Sequence, residues 1–152
     1  MPHPIDATLL IIVTILCFVQ IPIDFRVHRL YRTATICASL AIAGALLVGT
    51  ISEQSLTRSA AALLVAIVVI TGYLLLHLWS PQSLGLGDVL LVAPLTLAVA
   101  YLSVDLVLTW QFIATFTGAI HAVVVRVRKR GNMIPYGPHL LGAAWLVMVF
   151  SV

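Results

Sequence analysis

Two acidic residues stand out in this chain by where they fall. Asp24 closes an apolar run in Pro22-Ile23-Asp24-Phe25-Arg26, and Asp88 opens another in Ser83-Leu84-Gly85-Leu86-Gly87-Asp88. An ionisable side chain at membrane depth is costly, so each is a functional candidate by default. Two carboxyl groups within a few ångströms do not both ionise readily, and the pair comes to share a proton. One carboxylate then activates water while the other protonates a carbonyl or leaving amine. That is aspartyl-protease chemistry, and it needs neither metal nor other cofactor. A coupled dyad titrates as a unit, so acid and base roles are not assigned to either residue. Gly85 and Gly87 lack Cβ atoms, which lets backbone or an extended substrate approach Asp88 closely. Simpler readings compete. Asp24 can be a boundary acid snorkelling beside Arg26 or Arg29, and Asp88 a residue favoured by the dipole at a helix start.

The elements that must carry these acids are membrane helices. The chain has 152 residues, enough for one domain, of which 62% are hydrophobic and only 9% charged; its mean hydropathy is +1.15. Soluble domains carry about 25% charged residues. A soluble enzyme, a disordered tail and a nucleic-acid-binding module are excluded on this ground. Charges divide the chain into apolar stretches at 7–23, 33–52, 59–87, 89–104, 106–125 and 131–152. About 20 apolar residues cross a bilayer, and runs of this kind are helices unless they alternate in polarity and close a barrel. The expected fold is an all-α polytopic membrane protein of six transmembrane helices, the fourth short unless Asp88 lies at its end. Residues 1–152 form a single transmembrane domain with no inserted soluble domain and no internal repeat.

Basic residues orient it. Arg26, Arg29 and Arg32 separate the first two runs, and Arg126, Arg128, Lys129 and Arg130 the last two, which accounts for seven of the eight. Arg58 falls on the opposite side with Asp6, Glu53 and Asp105. The positive-inside rule places the basic loops in the cytoplasm, so both termini are outside. Asp24 and Asp88 then share the cytoplasmic face of a plasma or inner membrane. The first run does not read as a signal peptide, because its basic cluster follows the apolar segment. This placement strengthens a G-x-G-D string that is weak alone.

Four histidines, His28, His77, His121 and His139, fall in the cytoplasmic half. With the two acids they offer a rival metal site, though no HExxH-type spacing supports it; separate interfacial histidines, or one bonded to an aspartate, are the other readings. Cys17 and Cys37 form no CxxC pair. Trp79, Trp110 and Trp145 suit interfaces or helix packing. Pro94 suits a kink, and Gly44, Gly49, Gly72, Gly118 and Gly142 suit close helix contact.

Gly85-Leu86-Gly87-Asp88 resembles the GxGD signature of intramembrane aspartyl proteases. Within that group the chain is similar to the prepilin peptidases, or type IV leader peptidases. Asp24-Phe25-Arg26-Val27-His28-Arg29-Leu30 partly follows their first-aspartate motif, and Ile134-Pro135-Tyr136-Gly137-Pro138 is similar to their P-F-G-P turn before the last helix. The chain departs from the family in having Leu90 where Lys is frequent, and Tyr31-Arg32 where Pro-Asn is frequent. It also lacks the paired CxxC motifs of the bifunctional members and so resembles the compact, peptidase-only type. The resemblance implies catalysis by Asp24 and Asp88, with Gly85, Gly87, Pro135, Gly137 and Pro138 shaping the approach of substrate. It implies as partner a pilin-like precursor of the Flp/Tad or archaeal type, with a basic leader and a hydrophobic helix. Two alternatives stay open: a non-catalytic pilus-assembly relative, and a carrier or channel with a proton-relaying acid pair. Oligomeric state stays open too. For the topology, a reporter fused after Val152 is expected to behave as extracytoplasmic; cytoplasmic behaviour would contradict it.

Overall fold

Within each apolar run, the spacing of small and branched residues decides which face turns inward. In the computed structural model, which describes residues 4–27, 31–53, 56–79, 85–127 and 136–152, these runs form α1 (Pro4–Val27), α2 (Arg32–Glu53), α3 (Leu56–Trp79), α4 (Leu86–Leu102), α5 (Val104–Val127) and α6 (Gly137–Val149). No strand occurs among the described residues. Along α1 the buried positions are Ile5, Leu9, Val13, Leu16, Cys17, Gln20 and Asp24. Steps of three and four keep them on one helix face, so Asp24 ends an inward stripe. In α2 the stripe is Ala38, Ile42 and Leu46, and in α5 it is Val107, Trp110, Ala114 and Gly118.

The fourth helix is the exception, because from Leu91 onward it is buried on every side. Ten of its 17 residues are inaccessible, including Val92, Leu95, Val99 and Tyr101, and it packs against all five other helices. A helix apolar all round belongs at the centre of a bundle. The helix α3 lies along it through Ala62 and Ala66, the two buried residues of α3. Small residues four apart let two helix backbones approach. The remaining pairings are α1 with α2 and α6, and α5 with α6. Pro94 sits within α4 without ending it.

Outward faces are just as apolar. Phe18, Leu40, Ile51, Val68, Leu108 and Phe112 are all exposed, far beyond the few hundred square ångströms of apolar patch usual on a soluble monomer. Among the described residues, four helices are long and apolar enough to cross a membrane: Pro4–Asp24, Arg32–Ser52, Leu56–Trp79 and Val104–Val127. The other two, α4 and α6, are apolar but shorter, with 17 and 13 residues. At 1.5 Å per residue they measure about 26 Å and 20 Å, against about 36 Å for α3 and α5. Two local features set these lengths. Ser103 adopts an extended conformation between α4 and α5, and Pro138 stands in the first turn of α6, where its missing N–H costs nothing.

At the end of the bundle holding the N-terminus of α1, Arg58 donates to Asp6 Oδ1 at 3.0 Å and to the carbonyl of Tyr101. Its guanidinium lies 4.3 Å from the Tyr101 ring centroid. This joins the starts of α1 and α3 to the end of α4, as expected if Asp6 and Arg58 share one side. Of the glycines expected at close contacts, Gly49 and Gly118 serve that purpose, whereas Gly44, Gly72 and Gly142 have nothing within 4 Å of an added Cβ. At Gly49 such a Cβ would collide with the Tyr101 hydroxyl and stand 2.8 Å from Ile5 Cδ1. Overpacking a core of this kind costs about 1–3 kcal/mol. Gly49→Val is therefore expected to lower resistance to denaturing detergent, while Gly44→Ala changes it little; circular dichroism during an SDS titration reads both.

Candidate functional site

The carboxyl of Asp24 is taken inside the bundle by α1. The residue is 4% exposed, so it does not snorkel to the surface. One turn earlier on the same face, Gln20 is completely buried. Its Nε2 donates to Thr35 Oγ1 at 2.7 Å and to the Tyr31 carbonyl at 3.3 Å, and its Oε1 accepts from the Tyr31 N–H at 3.0 Å. All three bonds fasten the start of α2 to α1. A buried amide is tolerated when its donors and acceptors are met, and here they fix the rotation of the helix that carries Asp24.

Asp88 arrives from the centre. It lies in the first turn of α4, and its N–H donates to the Gly85 carbonyl at 3.0 Å. Gly85 caps that helix in an extended conformation, φ −69° and ψ 143°. A Cβ at Gly85 would stand 3.3 Å from Asp88 Oδ2, so the carboxyl folds back over its own N-cap and the missing side chain leaves it room. Gly87 is inside the helical turn. Gly85 thus supplies space, not an unusual backbone. The charge of Asp24 acts directly on Asp88, which places the two carboxyl groups, 64 positions apart in the chain, within electrostatic reach. Leu90, two residues on, is 44% exposed. Two residues turn a helix by about 200°, so Leu90 faces away from the pair.

Polar groups from three further segments close the same end. Tyr73 of α3 donates its hydroxyl to Gln111 Oε1 of α5 at 2.6 Å; it also interacts with Tyr136 and feels the charge of Asp88. Tyr136 precedes α6, and its hydroxyl lies 3.4 Å from Thr115 Oγ1. Its ring packs on Gly118, where an added Cβ would meet ring carbons at 2.8 and 3.1 Å. The buried Gln111 Nε2 has no hydrogen-bond partner among the described residues. One turn beyond Gly118, His121 Nδ1 faces His139 Nε2 at 2.8 Å. The start of α6 therefore lies beside residues 118–121 of α5. That is six to nine residues short of the end of α5 at Val127, or about 9–14 Å along its axis. The start of α6 thus lies below the end of α5.

Of the residues singled out in the sequence, Asp24, Asp88 and Gly85 come together. Gly137 and Pro138 are buried in the first turn of α6 and hold Tyr136 in place, its carbonyl accepting from the N–H groups of His139 and Leu140. Pro135 lies outside the described residues, as do His28, Arg29, Arg128, Lys129 and Arg130. No group of three His, Cys, Asp or Glu suited to a metal occurs among the described residues, so the histidines are not gathered there with the acid pair. Sequence reasoning missed Gln20, Tyr73 and Gln111. Gln20 carries a usable signal, since it is polar in an apolar run and four residues from Asp24. Comparison of the chain with protein-family models, curated proteins and solved structures finds no match.

The fold and site together define an all-helical protein, with helices long and apolar enough for a membrane, that holds two carboxyl groups at one end. Gln20→Leu is expected to leave the Tyr31 N–H and the Thr35 hydroxyl without their partner, a loss of about 1–3 kcal/mol. Its unfolding midpoint in SDS should fall, and Gln20→Glu should not restore it.

Proposed function

We propose that this protein is an intramembrane aspartyl endopeptidase of the prepilin peptidase type. It crosses the cell membrane six times with both termini outside, and it works at the cytoplasmic face. The observation that carries this reading is the approach of the buried Asp24 to Asp88 beside the N-cap glycine of a central helix. One carboxylate takes a proton from water, whose oxygen attacks the scissile carbonyl. The other carboxyl donates its proton to that carbonyl, and the C–N bond breaks as the amine is protonated. The donors that settle around such a dyad come from the chain itself, since Tyr73 and the α4 start already border Asp88.

The substrate proposed is a pilin-like precursor with a short basic cytoplasmic leader and a hydrophobic helix in the bilayer. Leu90 faces away from the pair, so that departure does not alter the carboxyl groups themselves. Co-expression with such a precursor tests the reading. Asp24→Asn and Asp88→Asn should each reduce cleavage at least about 100-fold, the scale of a lost acid–base group, while membrane insertion persists. Gly85→Val should reduce it too, by crowding Asp88 Oδ2. Chelation should not. Cleavage that survives either Asn variant at near the original rate, or that stops with chelator and returns with one metal, would overturn the proposal.

A further inference from the structure

The His121–His139 pair is not used by the proposed reaction. It is built from two different helices. His121 stands in α5 one turn past Gly118, and His139 in the first turn of α6. The Tyr136 ring wedged on Gly118 and the bond from the His139 N–H to the Tyr136 carbonyl, 3.1 Å, hold the second ring toward the first. Nδ1 of one and Nε2 of the other converge to 2.8 Å, with the rings inclined at 60° and their centroids 5.0 Å apart. Both residues are half-buried.

We infer that His121 and His139 form a two-nitrogen binding site for a borderline divalent transition metal of the zinc class, bridging α5 to the start of α6. The chemistry of the donors selects the ion. Imidazole nitrogen suits zinc, copper and nickel, whereas magnesium and calcium require oxygen. Zinc–nitrogen bonds of about 2.0–2.1 Å at a tetrahedral angle separate the two nitrogens by roughly 3.3 Å. The rings need part by only about 0.5 Å from their present contact, and the ion then replaces the proton they share. No third His, Cys, Asp or Glu joins the pair among the described residues, so water fills the remaining positions. The ion is held more weakly than in a four-ligand structural site, and it clamps the α6 start without touching the carboxyl dyad.

The test uses the full chain, tag-free in detergent and stripped of metal, titrated with zinc chloride and analysed for bound metal. One zinc per chain is expected, undisplaced by excess magnesium. His121→Gln and His139→Gln keep a hydrogen-bonding group but offer a poor ligand. Each should weaken zinc at least about tenfold, the lower end of what disturbing a metal's shell costs, and the double variant should lose stoichiometric uptake. Helicity by circular dichroism establishes that the variants are folded. A protein that takes up no zinc, or a folded double variant that binds it with the original affinity, would overturn the inference. Neither readout depends on peptide cleavage, so the outcome is separate from that of the proposed activity.

Discussion

The cost of keeping an acidic side chain inside an apolar bundle governs this structure. An unpaired charge there is expensive enough that the group is either neutralised or surrounded by polar partners. Asp24 is buried at the end of a stripe otherwise made of Ile5, Leu9, Val13, Leu16, Cys17 and Gln20. The features near it answer that cost. Gln20 binds Thr35 and Tyr31, so α2 cannot slide and expose the acid to lipid. Asp88 is brought to it at the start of a helix, where unpaired N–H groups and the helix dipole favour negative charge. Tyr73, Gln111 and Tyr136 add hydroxyl and amide groups from the remaining side.

Helix length follows from the same constraint. A helix as long as α3 would carry its first turn past the interior and into the interface. The first turns of α4 and α6 must stay deep if Asp88 and Tyr136 are to meet groups from α1 and α3. The short helices achieve this, and α4 is central because its start must be reachable from α1 and α3 at once. Contact through Ala62 and Ala66 lets α3 lie near enough for Tyr73 to reach. Gly118 does the same for Tyr136 on α5. Small residues at these positions therefore serve the polar cluster as much as the packing.

Much of this was legible in the sequence, and the limits have physical causes. The apolar runs gave the helices, because few charges interrupt them. The pairing of Asp24 with Asp88 was legible from their like position at the ends of runs and from the glycines before the second. The glycines' role was less so: Gly87 is within the helix, and at Gly85 the missing side chain leaves room for the Asp88 carboxyl. At the end of the chain 22 residues run without charge, and the described helix within them has 13, starting at the turn expected around Pro138. Hydropathy alone counts residues; the Pro and Gly residues before α6 are what mark its start. The partners of the site escaped because Gln20, Tyr73 and Gln111 are single polar residues in apolar runs. Which of them meet depends on helix rotation and tilt, and neither is written in the periodicity of one helix.

The polar groups divide unequally between the two ends of the bundle, and the division is informative. At one end Arg58 satisfies Asp6, the Tyr101 carbonyl and the face of the Tyr101 ring together. That arrangement matches opposite charges and ties three helices at one point. The other end brings like with like, carboxyl near carboxyl and imidazole against imidazole. The charge-matched end ties α1, α3 and α4 together, and the other end gathers polar groups from α1, α3, α4, α5 and α6.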